Sequence, residues 1–242
     1  MTILVVGASG ATGRLVVEKL LAEGQRVKII VRSTEYLPNS QKQNSRLNIT
    51  QASLLDLTDE ELQTQVKGCH AVVCCLGHNL SFKGIYGQPR RLVTNAVKRL
   101  CQAIEHTRQE NADVPTKFIL MNSSGKQNQQ AGEKIPMSQA IAISIIRYLI
   151  PPHADNEAAA DYLQTNYPQQ QNVIEWVAVR PDTLINEISD SAYDIYPAPI
   201  RNVIFNAGTT SRINVAHFML SLINQAELWD RWKMQMPVIY NR

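Results

Sequence analysis

The stretch that most constrains this chain is its beginning. Ile3 to Val6, a short β-branched apolar run, is followed at once by glycines at positions 7, 10 and 13, and then by Leu15, Val16, Leu20 and Leu21 at helical spacing. Apolar runs of this kind are how parallel strands buried on both faces read. Gly24 is placed to end the helix, and Val27 to Val31 reads as a second strand. Strand, glycine turn, helix and strand make a βαβ unit with a phosphate-binding turn. One glycine permits the tight turn, one lets backbone N–H groups approach a pyrophosphate, and one lets the helix pack close to the strand, so that the dianion sits on the helix N-terminus. The candidate cofactor-binding residues of this turn are Gly7, Ser9, Gly10, Ala11, Thr12 and Gly13. Their spacing is G-x-x-G-x-x-G and not the commoner G-x-G-x-x-G, so its weight comes from its place between strand and helix.

What ends the second strand selects the dinucleotide. An Asp or Glu there would accept from the ribose 2′-OH of NAD, but Arg32 and Ser33 occupy that place. Arg32 can make a bidentate contact to a 2′-phosphate, which points to NADP. A solvated strand-end arginine is the competing reading. Glu35, a short loop away, is the residue that would return the preference to NAD.

Gly-Ala-Ser-Gly-Ala-Thr-Gly-Arg from Gly7 to Arg14, with Val31-Arg32 after the second strand, resembles the atypical short-chain dehydrogenase/reductases. Within them it is most similar to the NAD(P)H-binding NmrA-like and flavin/biliverdin reductase-like group. Leu54-Leu55-Asp56, Leu76-Gly77, Asn122-Ser123-Ser124-Gly125 and Arg180-Pro181-Asp182-Thr183-Leu184 follow later strands in that group's order, up to about residue 225. The resemblance implies a single Rossmann-type, doubly wound α/β domain over residues 1–242, with a mostly parallel sheet of order 3-2-1-4-5-6. Segments 78–89 and 182–200 would shape the substrate pocket. It also places Asp56, Leu57, Leu76 and Gly77 along the nucleotide. Asp56 has a second reading, since it precedes Thr58-Asp59-Glu60-Glu61, where capping and the helix dipole also select acids.

Ligands of open α/β sheets bind outside the carboxyl ends of the strands, so Gly7, Arg32, Ser53, Gly77, Ser123 and Arg180 should meet along one crevice. His78, Phe82 and Tyr86 then fall near the reacting end of a nicotinamide. Ser123 or Ser124 stands where short-chain dehydrogenases keep a serine that orients a carbonyl. The candidate catalytic residues are therefore Ser123, Ser124 and His78, against the plainer readings of a polar turn and a structural histidine. The Tyr-x-x-x-Lys pair that supplies the proton in ordinary short-chain dehydrogenases is missing. Asn156 takes the lysine position, where the resemblance makes it a cofactor-binding residue able to hydrogen-bond the ribose, Tyr148 precedes the Pro151-Pro152 break, and Tyr162 has Asn166 in place of lysine. Two functions follow from the resemblance. One is an NADPH-dependent oxidoreductase passing hydride to a small, flat acceptor such as a flavin, quinone, tetrapyrrole or carbonyl compound, for which water can deliver the proton. The other is an NmrA-like NADP(H)-sensing regulator without turnover.

Composition narrows the partners. The chain has 242 residues, 44% hydrophobic and 19% charged, and its net charge of +3 comes from scattered Lys and Arg without aromatic interleaving, so no nucleic-acid partner is expected. Met137 to Ile150 is too short to span a bilayer and reads as a buried or subunit-facing helix, leaving a monomer or a homodimer. With a strand and no signal peptide at the start, the expectation is a cytoplasmic protein acting on a small molecule away from membranes. The four cysteines have no C-x-x-C spacing and the five histidines no ligand spacing, so buried free thiols and no metal are expected. Pro38 to Arg46 reads as a flexible loop, Arg90 to Glu110 as a long helix, Lys126 to Lys134 as a loop near the site, Tyr193 and Tyr196 as packing anchors or pocket residues, and Asn202 to Asn206 as a short strand. The tail with Trp229, Trp232 and Pro237 reads as structural.

Overall fold

The computed structural model describes residues 1–78, 87–108, 114–128, 132–133, 151–168, 173–202 and 206–242. The apolar runs become the parallel strands β1 (Thr2–Val6), β2 (Arg26–Val31), β3 (Leu47–Gln51), β4 (Ala71–Cys74), β5 (Thr116–Met121) and β6 (Ile174–Pro181). They lie side by side in the order β3-β2-β1-β4-β5-β6, the order the family resemblance implies. In β1, Ile3 and Val5 point to one face of the sheet and Leu4 and Val6 to the other, all four without exposure. A strand covered on both sides has no polar face to show, which is why the run does not alternate.

Helix α1 (Ala11–Ala22) packs on the first face beside α6 (Arg212–Asn224). The opposite face carries α3 (Asp59–Val66), α4 (Leu92–Arg108) and α5 (Pro151–Asn166). The short α2 (Asn39–Lys42) lies inside the stretch expected to be a flexible loop. It is held because Leu37 and Gln41 are buried and Gln41 Nε2 donates to the Arg14 carbonyl at 3.2 Å. Cys74 and Cys75 sit on opposite faces of the sheet, and all four cysteines are free and buried. Burial pushes the Cys74 thiol up to about 12, so it is a packing group and not a nucleophile.

The C-terminal part adds what periodicity did not show. Strands β7 (Thr183–Ile185) and β9 (Thr209–Ser211) pair with each other, while β10 (Val238–Asn241) extends the main sheet parallel to β6 and β8 (Tyr193–Tyr196) closes it antiparallel to β10. The tail is anchored by α7 (Ala226–Trp232), whose Trp229 Nε1 donates to Glu175 Oε2 at 2.6 Å. Lys117, at the start of β5, donates to the carbonyls of Leu222 (3.1 Å) and Ile223 (3.0 Å) at the end of α6 and lies over the Trp229 ring. Tyr193 hydrogen-bonds His217 at 2.7 Å and Tyr196 packs on Tyr240, so both tyrosines anchor the added strand. The stretch from Met137 to Ile150, Phe82, Tyr86, Tyr148 and the centre of the Asn202 to Asn206 segment lie outside the described residues. Among the described residues no helix is long and apolar enough to cross a membrane.

The cap of α3 settles one of the two readings of Asp56. Thr58 accepts from Glu61 N at 3.2 Å and Glu61 Oε2 accepts from Thr58 N at 2.7 Å, a reciprocal capping box that does not use Asp56. Thr58→Ala should therefore lower the unfolding free energy by about 1 kcal/mol in urea titration, the worth of an N-cap, whereas Asp56→Ala should change it by less than half of that.

Candidate functional site

A cleft of about 720 Å³ opens at the carboxyl ends of β1, β2, β4 and β5, and the glycine turn forms its floor. The close approaches that the motif demands are present. Gly7 has φ +76°, and a Cβ there would stand 2.4 Å from the Cys75 carbonyl carbon and oxygen. A Cβ on Gly13 would stand 2.2 Å from the Gly7 oxygen, so helix α1 starts pressed against the end of β1. No side chain caps α1 at Gly10, and no acid lies in its first turn. Helix α3, by contrast, has both a capping box and three acids. The first amides of α1 face the cleft unneutralised, which is an anion site by geometry and by dipole. Gly7, Ser9, Gly10, Ala11 and Thr12 all line it.

At one end the wall is Arg32, Ala52, Ser53, Leu54, Leu55 and Asp56. Arg32 is exposed there and has no acidic partner among the described residues. Ser33 does not line the cleft; its Oγ accepts from Glu35 N at 3.2 Å, a turn whose Glu35 is also outside the lining. Leu57 stays outside as well, half-buried with its side chain packed against the core and its carbonyl accepting from Arg99 Nη2 at 2.6 Å. Arg99 also donates to the carbonyls of Leu54 (3.2 Å) and Leu55 (2.9 Å), so α4 straps the turn that presents Asp56 to the cleft.

At the other end the wall is Leu76, Gly77, His78, Gln88, Pro89, Leu92, Met121, Leu184 and Arg212. His78 Nε2 is 2.8 Å from Asp155 Oδ2, and both side chains are almost fully buried. Asp155, projected from α5, also accepts from the amides of Val93 (2.7 Å) and Thr94 (3.0 Å) at the start of α4. The dipole of α4 and two amides thus hold a carboxylate that in turn fixes the imidazole. Since a carboxylate only accepts, Nε2 is the donor in that contact. Sequence reasoning singled out His78 and Asn156 but missed Asp155 between them. A single acid in a helix without a clear apolar stripe gave no signal.

Ser123, Ser124 and Asn156 are not among the cleft-lining residues. Ser123 Oγ accepts from Gly125 N at 3.3 Å. Ser124 is buried, its amide donating to the Pro181 carbonyl at 3.0 Å and its hydroxyl bonded to Asp182. Burial raises the Asp182 carboxyl from its ordinary value, opposed by hydrogen bonds from Gly208 N, Thr183 N and Ser124. Asn156 is tied in through its carbonyl, which accepts from Asn122 Nδ2 at 2.8 Å. The β5 residue that reaches the cleft is Met121. Tyr162 packs away from it, edge-on to Tyr167 and under Lys98. Burial raises its phenol, and Asn166 Nδ2 donates to its carbonyl at 2.8 Å.

Arg180, expected at the crevice, is wholly buried. Its guanidinium holds Glu133 with two bonds of 2.6 and 3.0 Å and donates to the carbonyls of Lys126, Met236 and Pro197. One side chain therefore ties the polar loop after β5 to the tail and to the strand that closes the sheet. Lys126, at the start of that loop, is paired with Asp161 of α5.

The same fold recurs in known proteins. The oxidoreductase ylbE of Lactococcus lactis superposes with a TM-score of 0.68 over all of this chain and 91% of its own, at 18% identity. A proposed NADH–flavin reductase of Streptococcus pneumoniae gives 0.67 over the whole of both chains at 17% identity. A short-chain dehydrogenase/reductase of Veillonella parvula in complex with NADP gives 0.68 over 99% of this chain and 94% of its own, at 12% identity. At such identities the likeness is one of fold, a Rossmann-type α/β domain. In sequence, an uncharacterized chloroplast protein of Arabidopsis thaliana is 34% identical over 80 residues, 33% of this chain and 29% of that protein. A family model described as NAD(P)H-binding matches residues 7–226, from the first glycine of the turn to the start of the last helix. With the glycine turn, the uncapped helix and the cleft in place, this chain belongs to the NAD(P)H-binding family.

Proposed function

We propose that the protein is an NADPH-dependent oxidoreductase that reduces a small, flat acceptor. The observation that carries this reading is the continuity of one cleft from Arg32, past the amides of α1, to the buried His78–Asp155 pair. The residues present fit a dinucleotide. The close backbone packing that Gly7 and Gly13 permit between the turn, the end of β4 and the start of α1, together with the uncapped helix start, suits the pyrophosphate. Leu54, Leu55 and Asp56 suit the adenosine end, and Leu76 and Gly77 the approach to the nicotinamide. When bound, the reduced nicotinamide supplies the hydride, with its electron pair, for a two-electron reduction of the acceptor.

The protein's own part is to bind, orient and exclude water. Met121, Leu92 and Leu184 give apolar walls for a planar ring, and His78 offers a polar group whose orientation Asp155 holds. With no Tyr-x-x-x-Lys pair, and with Tyr162 directed away from the cleft, the accompanying proton comes from solvent, which suits acceptors such as flavins and quinones. The test is to follow NADPH absorbance with purified protein against flavins, quinones and carbonyl compounds. Turnover of a flat acceptor above the uncatalysed background is expected. Tight NADPH binding with no acceptor reduced above that background would instead support a sensor of the NmrA kind.

Arg32 supports NADPH over NADH, because it is an exposed cation in the cleft wall with no ion-pair partner among the described residues. Arg32→Ala should weaken NADPH binding by about 1.5–3 kcal/mol, the scale of a hydrogen bond to a charged group, and change NADH binding little. Fluorescence titration of both nucleotides measures this; equal losses for the two would place Arg32 on a part that NADPH and NADH share, and no loss in either would assign it to solvent.

A further inference from the structure

A second arginine in the cleft has no role in the reading above. Arg212 opens helix α6, and its side chain lines the cleft beside Leu184 and Met121, on the nicotinamide side. Among the described residues only Nη1 is engaged, donating to Asn186 Oδ1 at 2.9 Å and reaching the Leu184 carbonyl at 3.4 Å. No carboxylate pairs with it among the described residues. The two anchors hold the planar group on β7 and the residue after it, leaving its Nε and Nη2 donors for a ligand. An arginine placed between apolar walls and fixed by two neutral acceptors is a recognition group for a carboxylate or phosphate. The cofactor's pyrophosphate already has the amides of α1, so a second anion is needed to account for Arg212.

We infer that the hydride acceptor is itself an anion, a planar ring carrying a phosphate, sulfonate or carboxylate that binds Arg212 while the ring lies against Met121 and Leu184. This rests on the oxidoreductase reading and narrows its substrate class. Arg212 is then a specificity residue.

The experiment uses acceptors matched in ring and different in charge: FMN against riboflavin, and a naphthoquinone sulfonate against the parent naphthoquinone. The wild-type protein should favour the anionic member of each pair in kcat/KM. Arg212→Gln should cut that preference about ten- to a hundredfold, the range for a charge-assisted hydrogen bond, and Arg212→Lys should keep part of it. Absence of a preference in the wild type would overturn the inference while leaving the oxidoreductase reading in place. So would a loss in Arg212→Gln that falls equally on both members and is matched by weaker NADPH binding, since the contact would then belong to the pyrophosphate. If no acceptor is reduced, flavin fluorescence in the presence of NADP⁺ decides separately. FMN bound more tightly than riboflavin through Arg212 would keep the anion site and discard hydride transfer, whereas equal binding, or none, would discard the site.

Discussion

Replacing Gly7 by alanine should remove nucleotide binding and leave little folded protein, because two penalties meet at that position. With φ at +76°, any L side chain costs about 1–2 kcal/mol. The new Cβ would also stand 2.4 Å from the backbone of Cys75, which follows the central strand β4, is held by its amide donating to the Val6 carbonyl at 2.9 Å, and has no rotamer with which to give way. Gly24 separates the two effects. It has nearly the same conformation, φ +71°, but a Cβ there meets nothing within 4 Å. Gly24→Ala should therefore cost only the conformational part, about 1–2 kcal/mol, and keep NADPH binding. Urea unfolding with NADPH titration on the two variants measures the difference. If Gly7→Ala proves as stable as Gly24→Ala and still binds the nucleotide, the close approach of the turn to β4 is wrong.

Arg180→Met should lower the unfolding free energy by about 3–5 kcal/mol, the cost of breaking a buried ion pair from one side. The charge of Glu133 would be left inside, and three carbonyls, those of Lys126, Met236 and Pro197, would lose their donor. Glu133→Gln in the same chain should recover part of the loss, since the uncompensated charge is then gone. Thermal and urea unfolding of the single and double variants report this directly. A loss below about 1 kcal/mol for Arg180→Met would show that the pair is hydrated and that the loop after β5 is held by other contacts.

The apolar runs of the six parallel strands and the phosphate turn were legible in the sequence, because both depend on local chemistry, whereas the order of the strands came from the family resemblance. Ile3 to Val6 must be covered on two faces, and Gly7 and Gly13 are required wherever a strand end and a helix start approach backbone to backbone. Arg32 was legible for a related reason, since its place at the strand end follows from counting along the βαβ unit.

Only the tertiary structure decided which polar residues face the cleft and which hold the frame. Ser124 and Arg180 sit at strand ends as expected, yet the Pro181 carbonyl and Glu133 claim them, and they are buried. Arg212 and Asp155, distant in sequence from the glycine turn, are delivered to the cleft and to its wall by helices whose positions depend on packing against α1 and α4. Strands β8 and β10 were hidden for the same reason. Four-residue runs carry too little periodicity to declare themselves, and what makes them strands is the open edge of β6, which unpaired would leave its backbone groups exposed.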